Sequence, residues 1–279
     1  MKLFTRHRNF FYAVKLFKIT DQQSAFTFPI DKLFLDTIEY VEKLSGLKSS
    51  GFHLNYTKDY QSLKGFKSAL SSLSEIVYGY VGFGKDDRKC FLAIDNAMLN
   101  YESKPRNSSI DLFLQLSELY HKPKSVIKIC EDLIKKFDFE YGYIQGFPDN
   151  FNGTTERKVK GLFSRGVEIT ELDHIWTFHS VGLRYGYLKN LYNINFINKS
   201  HFESPELSEV IKKFGDKQAI SPDITIWTIS NEEIDVLKTL PDVKRRLIQI
   251  EKPKNEFLKS VDSKEFYSWM KLQHMKASR

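Results

Sequence analysis

The sequence predicts an α+β protein with a mainly antiparallel sheet packed by helices on one face. Three observations lead to this prediction. Several strand-like segments follow one another without helices between them, which favours antiparallel pairing over a doubly wound arrangement. Two segments with the apolar periodicity of helices begin at prolines. Finally, 41% of the 279 residues are hydrophobic, which is enough to build a sizeable core.

The first half of the chain supplies most of the predicted strands. A strand is expected over residues 10–19, and a helix begins after Pro29, repeats apolar residues near helical spacing and ends at Gly46. A second helix begins at Pro123. The predicted strands between and after these helices are "SGFHLNY", "EIVYGYVGFG", "KCFLAIDN", "SSIDLFLQLS" and "FEYGYIQGF".

The second half has a looser pattern after the loop "PDNFNGTTERK". We expect a short helix in "ITELDHIWTFHS", a strand in "LYNINFIN", a helix in "SPELSEVIKKFG" and a strand in "DITIWTIS". Asn231 is expected to cap a further helix, and "KEFYSWMKLQHMK" has the pattern of a basic amphipathic helix. Because no linker divides the chain, we predict a single domain over residues 1–279, with two intimately packed halves (about 1–146 and 147–279) as the alternative.

The charge distribution argues against a uniformly basic surface. The formal net charge is +7, but Lys and Arg are concentrated at the two ends of the chain. The remaining residues, 21–243, hold 27 basic against 31 acidic side chains. Nucleic-acid binding through the basic ends and loop aromatics stays open as an alternative, because it needs those ends to form one concentrated basic face.

Cysteine usage and hydropathy point to a cytoplasmic protein. Cys90 and Cys130 stand beside apolar neighbours, which predicts buried free thiols in a reducing compartment. Lys15 and Lys18 interrupt the apolar N-terminal segment, which a secretory signal would not tolerate. No segment approaches the roughly 20 apolar residues that a bilayer span requires, so we expect no membrane association.

Motifs for metal, nucleophile and phosphate chemistry are missing from the sequence. His174 and His179 are five residues apart, whereas two ligands on one helical face are usually four apart. Ser164 in "GLFSRG" does not have the spacing of a nucleophile elbow, and "GYVGFGKDD" lacks the phosphate-loop pattern. We therefore predict no catalytic residue, no metal and no cofactor.

Paired carboxylates remain the one enzymatic alternative that sequence reasoning leaves open. Glu140, Asp149, Glu156 and Asp173 flank the glycine-rich centre of the chain. Surface solubility explains such residues more readily than general acid or base chemistry does. An enzyme with dispersed carboxylates would require these groups to cluster in a pocket with a perturbed pKa.

The segment "GYLKNLYNINFINKSHF", with the helix "PELSEVIKKFG" and the strand "DITIWTI" after it, resembles the type VI immunity family of bacterial polymorphic-toxin immunity proteins. The positions that carry the resemblance are Tyr192, Asn195, Phe196, His201 and Trp227. The resemblance covers the C-terminal half of the chain. The resemblance implies a non-enzymatic cytoplasmic protein that takes part in interbacterial competition by binding and neutralising a cognate toxin. It also implies that the five matching residues stabilise the fold.

A partner-binding face is then sought among loop aromatics and charges outside those five positions. Tyrosine and other aromatic residues are enriched at protein interfaces because they bury a large area and keep a polar group. We expect the toxin to contact residues in and after the Gly/Asn/Asp-rich loop: Phe147, Asp149, Phe151, Glu156, Arg157, Tyr185 and Tyr187.

Overall fold

A computed structural model describes residues 10–20, 22–55, 58–86, 89–96, 109–117, 122–148, 151–152, 157–158 and 180–247. The strands are β1 (Phe10–Ile19), β2 (Ser49–Leu54), β3 (Lys58–Tyr60), β4 (Tyr78–Phe83), β5 (Cys90–Asn96), β6 (Ser109–Leu116), β7 (Tyr141–Pro148), β8 (Phe151–Asn152), β9 (Arg157–Lys158), β10 (Ile194–Asn198), β11 (Asp216–Ala219) and β12 (Ile224–Thr228). The helices are α1 (Gln22–Thr27), α2 (Ile30–Ser45), α3 (Leu63–Ser72), α4 (Pro123–Phe137), a 3₁₀ helix (Ser180–Tyr185), α5 (Lys199–Glu203), α6 (Pro205–Lys213), α7 (Asn231–Leu237) and α8 (Pro241–Arg246).

Ten strands form one sheet in the order β11-β12-β10-β7-β1-β6-β5-β4-β2-β3, and β8 pairs with β9 in a separate hairpin. Every pairing between these described strands is antiparallel. The α+β class and the antiparallel sheet are therefore confirmed. Strand β1 lies at the centre, between β6 and β7.

The two faces of the sheet carry separate hydrophobic clusters because strand side chains alternate between faces. Val14 and Leu16 of β1 belong to the larger cluster, which includes the apolar sides of α2, α3 and α4 on one face. Phe17 and Ile19 point to the opposite face, where α6, α7 and α8 contribute to a second cluster. The helices of the N-terminal half thus lie on one face as predicted, and the structure adds a second helical layer under the C-terminal half.

The two helices with the strongest sequence signals begin where predicted, and α2 also ends where predicted. Helix α2 follows Pro29 and ends at Gly46, whose left-handed backbone (φ 74°) lets its N–H reach the carbonyl of Glu42. Helix α4 has Pro123 in its first turn and buries six residues, from Val126 to Phe137, on one side.

Several short elements differ from the predictions. Ser230, rather than Asn231, caps α7, because the Ser230 hydroxyl accepts from the N–H of Glu233 while the Glu233 carboxylate accepts from the N–H of Ser230. Helices α1, α3, α5 and α8 and strands β3 and β11 were not predicted from the sequence. Helix α3 does bury Phe66, Ala69 and Leu70 at helical spacing, whereas each of the other elements has at most six residues. The predicted helices in "ITELDHIWTFHS" and "KEFYSWMKLQHMK" lie outside the described residues.

Both cysteines are buried and neither forms a disulfide, as predicted. Burial raises the pKa of the Cys130 thiol far above its ordinary value, so this sulfur stays protonated. Within the described ranges, no helix combines the length and apolar character that crossing a membrane demands.

Candidate functional site

An open cleft of about 930 Å³ lies where the end of α4 and the start of β7 meet the C-terminal half of the chain. One side comes from the end of α4 and the residues after it, and the other from the 3₁₀ helix and α5. The turn between β11 and β12 completes the lining. The lining residues are Lys18, Ile134, Lys135, Asp138, Phe139, Glu140, Arg184, Tyr185, Asn198, Lys199, Ser200, Glu203, Ser221, Pro222, Asp223 and Ile224.

Arg184 and Glu140 join the two sides of the cleft. The guanidinium of Arg184 donates to both carboxylate oxygens of Glu140, at 2.6 and 2.7 Å, and to the carbonyl of Ile19 at 3.2 Å. The ammonium of Lys18 lies 3.5 Å from the same carboxylate. Bidentate pairing of this kind fixes geometry as well as charge, so the shape of the cleft depends on it.

Asn198 holds the end of β10 beside the start of β7. Its amide nitrogen donates to the carbonyls of Glu140 (3.1 Å) and Leu183 (2.9 Å), while its side-chain oxygen accepts from the N–H of Ser200 and caps α5. The side chain thereby fixes three lining segments in one arrangement.

The charged groups at the opening of the cleft are available to a partner. Lys199 and Asp223 form an ion pair of 2.6 Å, with side chains 63% and 69% exposed. The side chains of Lys135, Asp138 and Glu203 make no hydrogen bond or ion pair with any described residue. The cleft therefore offers charges of both signs to a polar protein surface.

Two residues of the predicted partner-binding face whose side chains are described, Phe147 and Tyr185, lie in different parts of the molecule. Phe147 lies on β7 with its ring 6.0 Å from that of Phe11, at the far end of the strand from Glu140. Tyr185 lines the cleft beside Arg184, which contacts Glu140. Because a strand rises about 3.3 Å per residue, Phe147 and Tyr185 are separated by about 20 Å along β7.

Tyr187 is a correction to the predicted face. Its side chain is only 6% exposed, since it packs in the second cluster under the guanidinium of Arg246, 5.0 Å from the ring centroid. The expectation that this tyrosine is exposed is wrong, because the aromatic ring fills the core of the C-terminal half. Phe151 and Arg157 belong to the β8–β9 hairpin, for which only the backbone is described, and Asp149 and Glu156 lie outside the described residues.

Asn195 and Tyr192, two of the five positions that carry the resemblance, are buried and connect strands. The amide of Asn195 accepts from the N–H of Tyr192 and donates to the carbonyls of Tyr192 (2.6 Å) and Trp227 (3.3 Å). The ring of Tyr192 stacks on that of Tyr143, with centroids 3.7 Å apart and planes 8° apart. These contacts stabilise the bend that leads into β10.

The other three positions are buried as well. Phe196 is 0% exposed in the larger cluster, and Trp227 donates from its indole to the carbonyl of Phe214 at 2.8 Å. His201 is 0% exposed; its Nε2–H donates to the carbonyl of Tyr187 at 3.0 Å, and its Nδ1 accepts from the N–H of Asn198 at 3.3 Å. Burial lowers the pKa of His201 to about 4, so the imidazole is neutral at pH 7.

A polar cluster on the sheet, formed by Ser109, Asp111 and Lys189, was not predicted from the sequence. Asp111 of β6 accepts from the hydroxyl of Ser109, and burial raises the pKa of its carboxyl to about 6, opposed by that hydrogen bond and by Lys15 and Lys189. Lys189, 1% exposed, lies 3.3 Å from the hydroxyl of Tyr143. Its signal in the sequence was a charged residue, Asp111, within the largely apolar strand segment "SIDLFLQL".

The carboxylates considered for acid–base chemistry do not form a described cluster. Glu140 forms ion pairs with Arg184 and Lys18, while Asp149, Glu156 and Asp173 lie outside the described residues. Within the described part of the chain, no group of three or more His, Cys, Asp or Glu side chains is arranged to hold a metal ion.

No protein-family model matches the chain, and no curated protein matches it by sequence. A solved structure with a similar fold is the Pseudomonas aeruginosa T6SS protein PA0821. The match has a TM-score of 0.60 and covers 93% of this chain and 86% of that chain, at 10% sequence identity. The two chains therefore share a fold that extends over both halves of the molecule.

Proposed function

We propose that this protein is a non-enzymatic, immunity-type binding protein that neutralises a cognate toxin by direct contact, and that the cleft between α4 and α5 is part of the contact surface. The observation that carries the proposal is the cleft itself: a large open depression lined by exposed charges of both signs. Protein partners with complementary charge are recognised by such surfaces.

Two further observations support this proposal. The fold is similar to that of a T6SS protein over 93% of the chain. The five positions that carry the resemblance to the type VI immunity family are all buried, which suits a role in forming the fold. Recognition of the toxin would then fall to residues at the surface.

The cognate toxin is sought first by affinity capture from the native cell, with nuclease treatment as a control. Stoichiometric recovery of one protein, encoded by a neighbouring toxin-like gene, is the expected result. Recovery of nuclease-sensitive nucleic acid alone would overturn the proposal. Binding to generic DNA or RNA that weakens steeply with salt would then support the nucleic-acid alternative.

The contribution of the cleft is tested with a charge-reversal double variant, Asp138→Lys with Glu203→Lys. The matched control is Glu75→Lys with Asp235→Lys, which changes the net charge equally at two exposed positions outside the cleft. We expect the cleft variant to lower toxin affinity at least tenfold by calorimetry and the control to change it less than threefold. Equal effects of the two variants would exclude the cleft from the contact surface.

An enzymatic alternative rests on one specific observation. Asp95 and Asp111 are direct neighbours across β5 and β6, and the pKa of Asp111 is raised to about 6, close to the pH range in which general acids and bases work. The variant Asp111→Asn distinguishes a binding protein from an enzyme. Full neutralisation of the toxin by this variant is expected from a binding protein, whereas loss of protection with unchanged toxin affinity would favour the enzyme.

A further inference from the structure

Strand β11 forms one end of the ten-stranded sheet and is open to solvent. It pairs with β12 on its inner side, and no other described strand lies beyond it. All four of its residues, Asp216 to Ala219, are exposed. An uncovered edge of this kind presents backbone donors and acceptors that another strand can pair with.

The hydrogen-bond pattern identifies which residues of β11 face outward. The N–H of Ile220 donates to the carbonyl of Ile224 at 2.9 Å, which makes these two residues a hydrogen-bonded pair. Because such pairs alternate along an antiparallel ladder, Gln218 and Asp216 bond to β12. The N–H and C=O groups of Lys217 and Ala219 therefore point away from the sheet.

Strand β12 gives the same assignment from its other side. The N–H of Ile229 donates to the carbonyl of Asn193 at 2.9 Å, which turns Ile229, Trp227 and Thr225 toward β10. Ile226 and Thr228 then face β11, where their partners are Gln218 and Asp216. Two independent hydrogen bonds thus leave the same two residues, Lys217 and Ala219, unpaired at the outer edge.

The edge is held in a fixed conformation before any partner arrives. The N–H of Gly215 donates to the carboxylate of Glu233 at 2.9 Å, immediately before β11. A lysine on an edge strand usually discourages pairing, but the ammonium of Lys217 is directed back to the carbonyls of Lys212 (3.1 Å) and Gly215 (2.7 Å). Among the described contacts, the ammonium thus bonds to carbonyls that precede β11 and to none of the outward backbone groups of Lys217 and Ala219. These backbone groups are therefore held ready for a partner strand.

We propose that the outer edge of β11 accepts an extended segment of the protein toxin, which adds an eleventh strand to the sheet through Lys217 and Ala219. The turn after β11, from Ser221 to Ile224, also lines the cleft, so one partner can occupy both surfaces continuously. Asp216, whose side chain has no described partner, favours a basic side chain next to it on the added strand. This inference rests on the function proposed above.

A second copy of this chain fits the edge less well than the toxin does. Self-pairing would join two strands of four residues each, about 13 Å long. The surface area buried by such a contact is far smaller than the roughly 1,000 Å² that a stable interface needs. A toxin that also fills the cleft provides the additional area.

Hydrogen exchange tests the proposal on the full-length protein, alone and with the purified protein that the affinity capture recovers. In the free protein the amides of Gln218 and Asp216 should exchange slowly and those of Lys217 and Ala219 rapidly. In the complex the amides of Lys217 and Ala219 should slow at least tenfold. A complex that leaves both amides unprotected overturns strand addition alone, and failure to form a complex overturns the proposed function together with it.

A matched pair of variants at Ala219 provides a second test. Ala219→Pro removes the outward N–H and spares the ladder with β12, since proline is accepted at the outer edge of a sheet. Ala219→Val keeps the N–H and adds comparable bulk. With unfolding temperatures close to that of the wild type, we expect Ala219→Pro to weaken toxin binding at least tenfold and Ala219→Val less than threefold. Equal affinities for the two variants would contradict the proposal.

Discussion

Arg184 and Glu140 form a two-bond ion pair that connects the 3₁₀ helix to the start of β7, with N···O distances of 2.6 and 2.7 Å. Forty-four residues separate them in the chain. The pair also lies in the lining of the cleft, so one contact both joins the halves of the molecule and shapes the candidate binding surface.

Arg184→Lys is expected to lower the free energy of unfolding by about 1 kcal/mol, because lysine keeps the charge but cannot bond to both oxygens. The loss is modest since the Arg184 side chain is 38% exposed. Urea denaturation measures it. Lys212→Ala, which removes an exposed pair with Glu209, serves as the control and should cost less than about 0.5 kcal/mol. Equal losses would show that the two-bond geometry contributes nothing extra.

Asn195→Ala should cost about 3 kcal/mol of unfolding free energy. The substitution leaves the buried N–H and C=O groups of Tyr192 without the amide that pairs with them, and each unsatisfied buried group costs about 1–3 kcal/mol. Asn190→Ala is the control, because Asn190 is half-buried and, among the described residues, its side chain accepts only from the N–H of Leu191. A loss below about 1 kcal/mol for Asn195→Ala would mean that water replaces the amide.

Gly215 and Gly46 both have positive φ, at 66° and 74°, but their surroundings differ. A Cβ at Gly46 meets nothing within 4 Å, so Gly46→Ala should cost only about 1 kcal/mol of left-handed strain. A Cβ at Gly215 would lie 2.3 Å from the carbonyl oxygen of Thr228, which forces the backbone of β12 to move.

We therefore expect Gly215→Ala to lower stability by at least about 2 kcal/mol more than Gly46→Ala, measured by chemical denaturation. Because Gly215 immediately precedes β11, this variant should also speed hydrogen exchange at Gln218. Similar costs for the two glycine variants would contradict the close approach of β11 and β12 at this point.

Acidification should act on buried His201 and half-buried Asp111 in opposite directions. His201 has a folded-state pKa of about 4, below its ordinary value of 6.5, so its stabilising contribution is present above pH 6.5 and is lost as the pH falls toward 4. Asp111 has a folded-state pKa of about 6, above its ordinary value of 3.8, so its contribution is full below pH 3.8 and is lost as the pH rises through 6.

Each shift corresponds to about 3 kcal/mol, so the two contributions largely cancel between pH 4 and 6. Asp111→Asn removes one of them and should make stability fall more steeply from pH 7 to pH 4, by about 3 kcal/mol, in urea denaturation. Asp235→Asn, which alters an exposed carboxylate, is the control. Parallel pH profiles for Asp111→Asn and the wild type would contradict this account.

Much of the fold was predictable because local signals and tertiary packing agree. The aromatic, β-branched and long apolar residues of "FFYAVKLFKI" predict β1 to the residue, and Pro29 and Gly46 bracket α2 as their backbone preferences require. β11 was not predictable, since the exposed sequence "DKQA" has no apolar alternation and becomes a strand only by pairing with β12. For the same reason, the open edge of β11 could not be predicted from the sequence.

The candidate site was predicted less well than the fold. Tyr185 does line the cleft, but Phe147 lies about 20 Å away and Tyr187 is buried. Aromatic composition cannot distinguish a ring that fills a core from one that meets a partner, because both uses depend on the same apolar area. The cleft is formed by residues from five separate segments, which no local pattern connects.

The sequence by itself determined the α+β class, the positions of the main strands and helices, and the burial of Cys90 and Cys130, because apolar periodicity and helix-terminal residues act over short distances. Only the tertiary structure decided the order of the ten strands, the pairing of Arg184 with Glu140 and the open edge of β11. Those features arise from contacts between residues far apart in the chain, and their free energy is gained only when the sheet has formed.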